Sequence, residues 1–163
     1  MDNRQDYFLP DHWHGRTVKF INCASNNAMD LNGGSSADGT KIQGWEQNGS
    51  TPQQWVLEKV TPGAAWSPWK IRNVCGGSYM DLLNGSNEMG TSINGFNNGG
   101  GNKNAQWFII SQEQSENTWF WLQNAAAFTY ADCDGAHPEN GTKVHGWQRG
   151  DGNRNQMWRI IPV

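Results

Sequence analysis

Charge, cysteine and long apolar runs are all scarce in this chain. Lysine and arginine total 12 and aspartate and glutamate 15, so charged residues make up 17% and the formal net charge is −3. No basic cluster occurs, which removes the electrostatic footprint of a nucleic-acid binder. No apolar run approaches the roughly 20 residues of a membrane-spanning helix, so membrane insertion is excluded on that count. Three cysteines, Cys23, Cys75 and Cys133, cannot complete a disulfide framework and read as buried free thiols. The opening M-D-N-R-Q-D-Y-F-L-P has no hydrophobic signal core, which predicts a cytoplasmic protein or one secreted without a leader. Long helical periodicity is absent as well.

What the chain does have is aromatic and turn-forming content. Hydrophobic residues reach 36% and mean hydropathy is −0.78, values that alone would suit a disordered chain. Ten tryptophans and six phenylalanines argue otherwise, because each large ring supplies much burial. Twenty glycines, with abundant Asn, Gln, Ser and Thr, provide both tight turns and many neutral hydrogen-bonding groups. Such a surface suits a polyhydroxylated ligand better than a charged one.

The chain is organised by repetition. Residues 29–45 read M-D-L-N-G-G-S-S-A-D-G-T-K-I-Q-G-W; residues 80–96 and 131–147 align with them without a gap, 51 residues apart. Asp30, Asp81 and Asp132 coincide, as do Gly39, Gly90 and Gly141, and the aromatic series Trp45, Phe96 and Trp147. Asn22, Asn73 and Asn124 follow the same period. Self-similarity of this kind marks one supersecondary unit that needs its copies to bury an apolar face.

Each copy reads as four short strands: an opening strand (17–22, 68–73, 118–124), the Met-Asp-Leu strand, a strand such as T-K-I-Q-G-W, and a closing strand led by tryptophan (53–60, 105–110, 156–161). Twelve strands in one all-β domain, closed with pseudo-threefold symmetry, predict a β-trefoil, since closure removes exposed edges. The expected layout is an N-terminal lead-in over 1–15 and one domain over 16–163, with repeats at about 16–64, 65–115 and 116–163. Linkers are expected at 61–65 and 111–117. In the lead-in, His12-Trp13-His14 has the look of an adventitious metal chelate, but packing of Trp13 on the domain is the expected role.

Strand alternation turns Met29, Leu31 and Ile42 inward and Asp30, Gln43 and Trp45 outward. Each copy therefore groups a carboxylate, an amide or imidazole (Gln43, Asn94, His145) and a ring. A ring packs on the C–H face of a pyranose while a carboxylate accepts from neighbouring hydroxyls. Trp55, Trp107 and Trp158 sit in apolar strands and read as core.

The Q-x-W that closes the copies, with Asp and an aromatic upstream, resembles the ricin-B-type lectin family, and A-M-D-L-N-G-G-S-S-A-D-G-T-K-I-Q-G-W looks most like its mushroom members. The resemblance covers residues 16–163. It implies an agglutinin with shallow sites for terminal galactose or N-acetylgalactosamine on glycoproteins or glycolipids, no cofactor and no metal, and an Asn-Gln pair at the start of the last strand as a further site element. Carried across, the third copy is complete: Asp132, His145, Trp147, Asn155 and Gln156. The first keeps Asp30, Gln43, Trp45 and Gln53, with Pro52 in place of the Asn. The second keeps Asp81, Asn94, Phe96 and Asn104, with Ala105 in place of the Gln. The expected ranking is third, first, second. A homodimer is a further possibility, and the absence of the C-terminal domain carried by larger mushroom relatives is expected from the end at Pro162-Val163.

Enzymatic alternatives are thin. D-C-D-G at 132–135 echoes a calcium loop without its downstream ligands, and Cys133 with His137 or His145 lacks an orienting third group. The competing function is a β-trefoil protease inhibitor acting through the glycine-rich loop 97–104. On the lectin reading, single shallow sites bind with Kd of about 0.1–1 mM, or roughly −4 to −5.5 kcal/mol, nearly independent of salt. A steep salt dependence would implicate a charged sugar and Arg149. Asp132→Ala is expected to abolish the third site with thermal stability nearly unchanged.

Overall fold

The computed structural model describes residues 6–112 and 118–163. Thirteen strands are present among them: β1 (Tyr7–Phe8), β2 (Thr17–Asn22), β3 (Ala28–Leu31), β4 (Thr40–Trp45), β5 (Trp55–Lys59), β6 (Trp69–Asn73), β7 (Tyr79–Leu82), β8 (Thr91–Phe96), β9 (Trp107–Ser111), β10 (Trp121–Asn124), β11 (Tyr130–Cys133), β12 (Thr142–Trp147) and β13 (Trp158–Pro162). Among the described residues the only helical elements between them are short 3₁₀ turns.

The first and last strands of each copy build a barrel. Antiparallel pairing runs β13–β2–β5–β6–β9–β10, and the bridge between Phe120 and Trp158 closes the ring. The middle strands form three hairpins, β3–β4, β7–β8 and β11–β12. The second strands of those hairpins pair with one another, β4–β8, β4–β12 and β8–β12. This is a β-trefoil: a closed barrel capped by a hairpin triplet.

The alternation that predicted the strands is visible in β5 and β6, where every second residue is buried. One core runs through barrel and cap, with Phe20, Trp55, Leu57, Trp69, Ile71, Trp107, Ile109 and Trp158 fully buried. Trp55, Trp107 and Trp158 are thus core. Each also directs its indole N–H outward to one carbonyl: Met29 at 3.1 Å, Met80 at 2.9 Å and Ala131 at 2.9 Å. Those carbonyls belong to the residues that immediately precede Asp30, Asp81 and Asp132, so a buried ring fixes the backbone that carries each carboxylate.

Three details depart from the sequence reading. The closing strands begin at the tryptophan, because the residues before it form 3₁₀ turns at Thr51–Gln53, Lys103–Ala105 and Arg154–Gln156. Gln53 and Gln156 therefore end a turn rather than start a strand. The lead-in is built into the sheet: β1 adds to β9, Leu9 is buried in the core, Trp13 packs against it, and His14 Nδ1 accepts from the Lys59 backbone N–H at 2.9 Å. Finally, of the three free thiols Cys133, which ends β11, is buried, while Cys23 and Cys75 fall in the turns after β2 and β6 and are half-buried and exposed. Part of the linker expected at 111–117, residues 113–117, lies outside the described residues.

Candidate functional site

The hairpin register sets up each site. Asp30 pairs with Gln43, Asp81 with Asn94 and Asp132 with His145 as direct cross-strand partners. Opposed residues of an antiparallel pair present their side chains on the same face, so each carboxylate shares a face with its amide or imidazole, and the ring two residues on (Trp45, Phe96, Trp147) lies on that face too.

In the first copy, Gln43 Nε2 donates to Asp30 Oδ1 at 3.1 Å and Gln53 Nε2 to Asp30 Oδ2 at 3.1 Å. The second hydrogen of that Gln53 amide goes to the Glu46 carbonyl at 2.9 Å, while its oxygen accepts from Asn48 N–H at 3.1 Å. Above this floor lies a cleft of about 300 Å³ lined by Asp30, Asn32, Gly33, Gln43, Trp45, Asn48, Ser50 and Pro52.

The third copy repeats the arrangement with one change. Gln156 Nε2 donates to Asp132 Oδ2 at 3.0 Å and to the Gln148 carbonyl at 2.7 Å. His145 Nε2 lies 3.2 Å from Asp132 Oδ1. Facing a carboxylate, that nitrogen carries the proton, so His145 does for Asp132 what the Gln43 amide does for Asp30. Its ring stacks on Trp147, centroids 5.2 Å apart and planes 25° apart. Asn155, the other half of the Asn-Gln pair, uses its backbone: its N–H donates to Asn153 Oδ1 at 3.0 Å.

The second copy is wired differently. Ala105 offers no amide, and the donor to Asp81 Oδ2 is Asn98 Nδ2 at 2.8 Å. Asn98 belongs to the glycine-rich loop, and its own oxygen accepts from Gly100 N–H at 2.9 Å. Gly100, at φ +66, is buried so tightly that a Cβ there would lie 2.4 Å from the Lys70 side chain. Part of the loop proposed as an inhibitory projection is therefore folded down onto the sheet. Asn104 leans on the rim instead, with its Oδ1 where a Cβ on Gly85 would meet it at 2.3 Å. Burial pushes the Asp81 carboxyl above its usual value, opposed by the Asn98 hydrogen bond and reinforced by the Asp38 charge.

One expectation needs correction in all three copies. Asp30, Asp81 and Asp132 point away from the apolar core, but they are 6%, 5% and 4% exposed. They form floors of depressions rather than projecting outward, because the loops that return to the closing strands wall them in. A carboxylate accepts at about four lone-pair positions. The amide and ring donors use two of those on Asp30 and on Asp132, which leaves acceptor capacity for ligand hydroxyls. Removing Asp132 would also strip acceptors from Gln156 and His145, so the substitution carries a stability cost the outward reading missed. Among the rings, Trp147 is 37% exposed, and Trp45 and Phe96 are half-buried.

Sequence reasoning missed Asn98, Asn32, Asn48 and Ser50. None recurs at the 51-residue period, so repetition carried no signal for them. The nucleophile reading of Cys133 fails on burial: its thiol is pushed up to about 11, and its sulfur faces Ser25 Oγ at 4.0 Å. No group of three or more His, Cys, Asp or Glu placed to hold a metal occurs among the described residues.

The family model described as "Ricin-type beta-trefoil lectin domain-like" matches residues 3–96 and 100–163. No curated protein sequence matches the chain. Among solved structures it is similar to ThreeFoil, a designed 3-fold symmetric protein (22% identity, 90% of this chain and 99% of that one, TM-score 0.80). It is also similar to the Rhizoctonia solani agglutinin (24%, 95% and 97%, TM-score 0.77). A third is the Macrolepiota procera ricin B-like lectin, solved in complex with lactose (24%, 92% and 97%, TM-score 0.70). At these identities the structures speak for the fold.

Proposed function

We propose, for a chain that belongs to the ricin-type β-trefoil lectin-domain family, that it is a non-enzymatic lectin for terminal galactose or N-acetylgalactosamine on glycoproteins or glycolipids. The observation that carries the reading is the recurrence, at one strand register, of a walled carboxylate beside a ring. The carboxylate accepts from two adjacent sugar hydroxyls, and the ring meets the apolar face of the pyranose. The donors already on Asp30 and Asp132 hold each carboxylate in one orientation before ligand arrives, which lowers the ordering cost of binding. The third and first sites carry this organisation; the second, with its carboxylate taken by a loop asparagine, is the weakest.

The test is titration of the intact protein with galactose, N-acetylgalactosamine and glucose, followed through the indole N–H signals of Trp45 and Trp147. Saturable shifts are expected with the first two sugars at Kd of about 0.1–1 mM and much weaker ones with glucose. Equal response to all three sugars, or none, refutes the assignment.

A further inference from the structure

Asn22, Asn73 and Asn124 are almost fully buried, at 1%, 0% and 0% exposure, and the sugar sites described above do not include them. Each has two jobs. The side-chain oxygen caps its own turn: Asn22 Oδ1 accepts from Ala24 and Ser25 N–H, Asn73 Oδ1 from Cys75 and Gly76 N–H, Asn124 Oδ1 from Ala126 and Ala127 N–H. The side-chain amide reaches into a different repeat. Asn22 Nδ2 donates to the Asn155 carbonyl, Asn73 Nδ2 to that of Pro52 and Asn124 Nδ2 to that of Asn104, each at 2.9 Å.

The accepting residues have one thing in common: each immediately precedes the position that holds Gln156, Gln53 or Ala105. The carbonyl on the other side of that position is held as well. Cys23 N–H donates to Met157, Val74 N–H to Gln54 and Ala125 N–H to Gln106, each at 2.9 Å. Two successive donors of one repeat therefore hold the peptide just before that position in another repeat and the peptide one residue beyond it. The second repeat grips the first, the third grips the second, and the first, across 133 residues, grips the third.

We propose that Asn22 and Asn73 are positioning residues for sugar binding in a repeat other than their own: Asn22 aims Gln156 at Asp132, and Asn73 aims Gln53 at Asp30. The inference rests on the lectin reading for its ligand. The physical basis is that Gln156 and Gln53 end short 3₁₀ turns, which have poor internal hydrogen bonding. Their side-chain direction therefore depends on the backbone that these two grips hold, together with the Glu46 and Gln148 carbonyls that take the second amide hydrogen. Asn124 makes the same grip on a segment where Ala105 offers no side chain to aim, which supplies a control inside the molecule.

Substitution to aspartate keeps the turn-capping oxygen, removes the amide donor and sets a buried carboxylate oxygen against the carbonyl it held, a cost that Asn124→Asp shares and so calibrates. Lactose titrations of the full chain, read at the Trp147 and Trp45 indoles, should show Asn22→Asp weakening the third site by about tenfold, as expected for the loss of one buried hydrogen bond's worth of aim, with the first site unchanged. Asn73→Asp should do the reverse. Asn124→Asp should leave both sites unchanged despite losing the same bond. Independently of any sugar, Asn22→Asp should shift the Gln156 side-chain amide signals and speed their hydrogen exchange. If all three variants affect both sites alike, or the Gln156 amide does not respond, the positioning role is refuted. If wild-type protein binds no lactose while that amide responds, the lectin reading falls and the grip stands.

Discussion

The second and third sites share a carboxylate, a strand register and a ring position, yet they hold the carboxylate by different means. At the third, Asp132 is gripped by Gln156 at 3.0 Å from a 3₁₀ turn and by His145 at 3.2 Å from the facing strand. At the second, Asp81 is gripped by Asn98 at 2.8 Å from a loop rich in glycine. At the third site the segment that carries Gln156 is held at the Asn155 and Met157 carbonyls by another repeat; at the second the donor sits on a loop whose backbone freedom must be lost for the bond to form. Alanine in place of glutamine at 105 removes one donor, and Asn94 and Phe96 stand where the third site has His145 and Trp147. Loss of one donor has been met by recruitment of another, because a buried carboxylate without a partner is costly. The substitute reaches the carboxylate from the loop after β8, whereas Gln156 reaches it from the turn before β13.

The strongest way to break the comparison is Asp132→Ala. Galactose response at Trp147 should vanish in titration, and chemical denaturation should show a loss of about 1–3 kcal/mol, since Gln156 and His145 lose a buried acceptor. A loss near zero would mean the carboxylate is not buried as described. Next in size is conversion of the second site into a copy of the third. The double substitution Asn98→Gly with Ala105→Gln should raise galactose affinity at the Asp81 site by several-fold, seen as a new set of saturable shifts at the Asn94 side-chain amide. An unchanged site would show that Phe96, rather than the missing glutamine, limits it.

A smaller difference is expected in pH dependence. Burial holds the Asp81 carboxyl above its ordinary value of 3.8, so the folded state binds a proton more tightly than the unfolded chain. Its contribution is therefore most favourable below the unfolded value and is lost as pH rises through the raised folded one. Asp81→Asn should remove that loss: the stability of the variant relative to wild type should grow from about pH 4 upward and then level off, in denaturation curves taken across that range. The opposite trend would mean the hydrogen bond from Asn98 outweighs burial. Smallest of all should be the salt effect. Binding at the third site should change by less than about twofold between low and high salt, because its contacts are with neutral hydroxyls. Arg149 is engaged with Asp151 at 3.3 Å and lies 4.2 Å over the Trp121 ring. A steep salt dependence would instead recruit Arg149 to an anionic sugar.

Periodicity made much of this molecule readable in one dimension. Asp30, Asp81 and Asp132 recur at 51 residues and alternation puts Gln43, Asn94 and His145 on their face, so the threefold all-β fold, the core role of Trp55, Trp107 and Trp158, and the grouping of carboxylate, amide or imidazole and ring were visible in the order of residues, whereas the register that makes them direct partners was not. Tertiary structure alone decided how deep those carboxylates sit, that Asn98 replaces the missing glutamine, and that Asn22 reaches a site 133 residues away. The physical reason is that alternation fixes which face a side chain takes. Burial and hydrogen-bond partners depend on which distant loops return to cover that face, and closing the barrel is what brings the first repeat against the third.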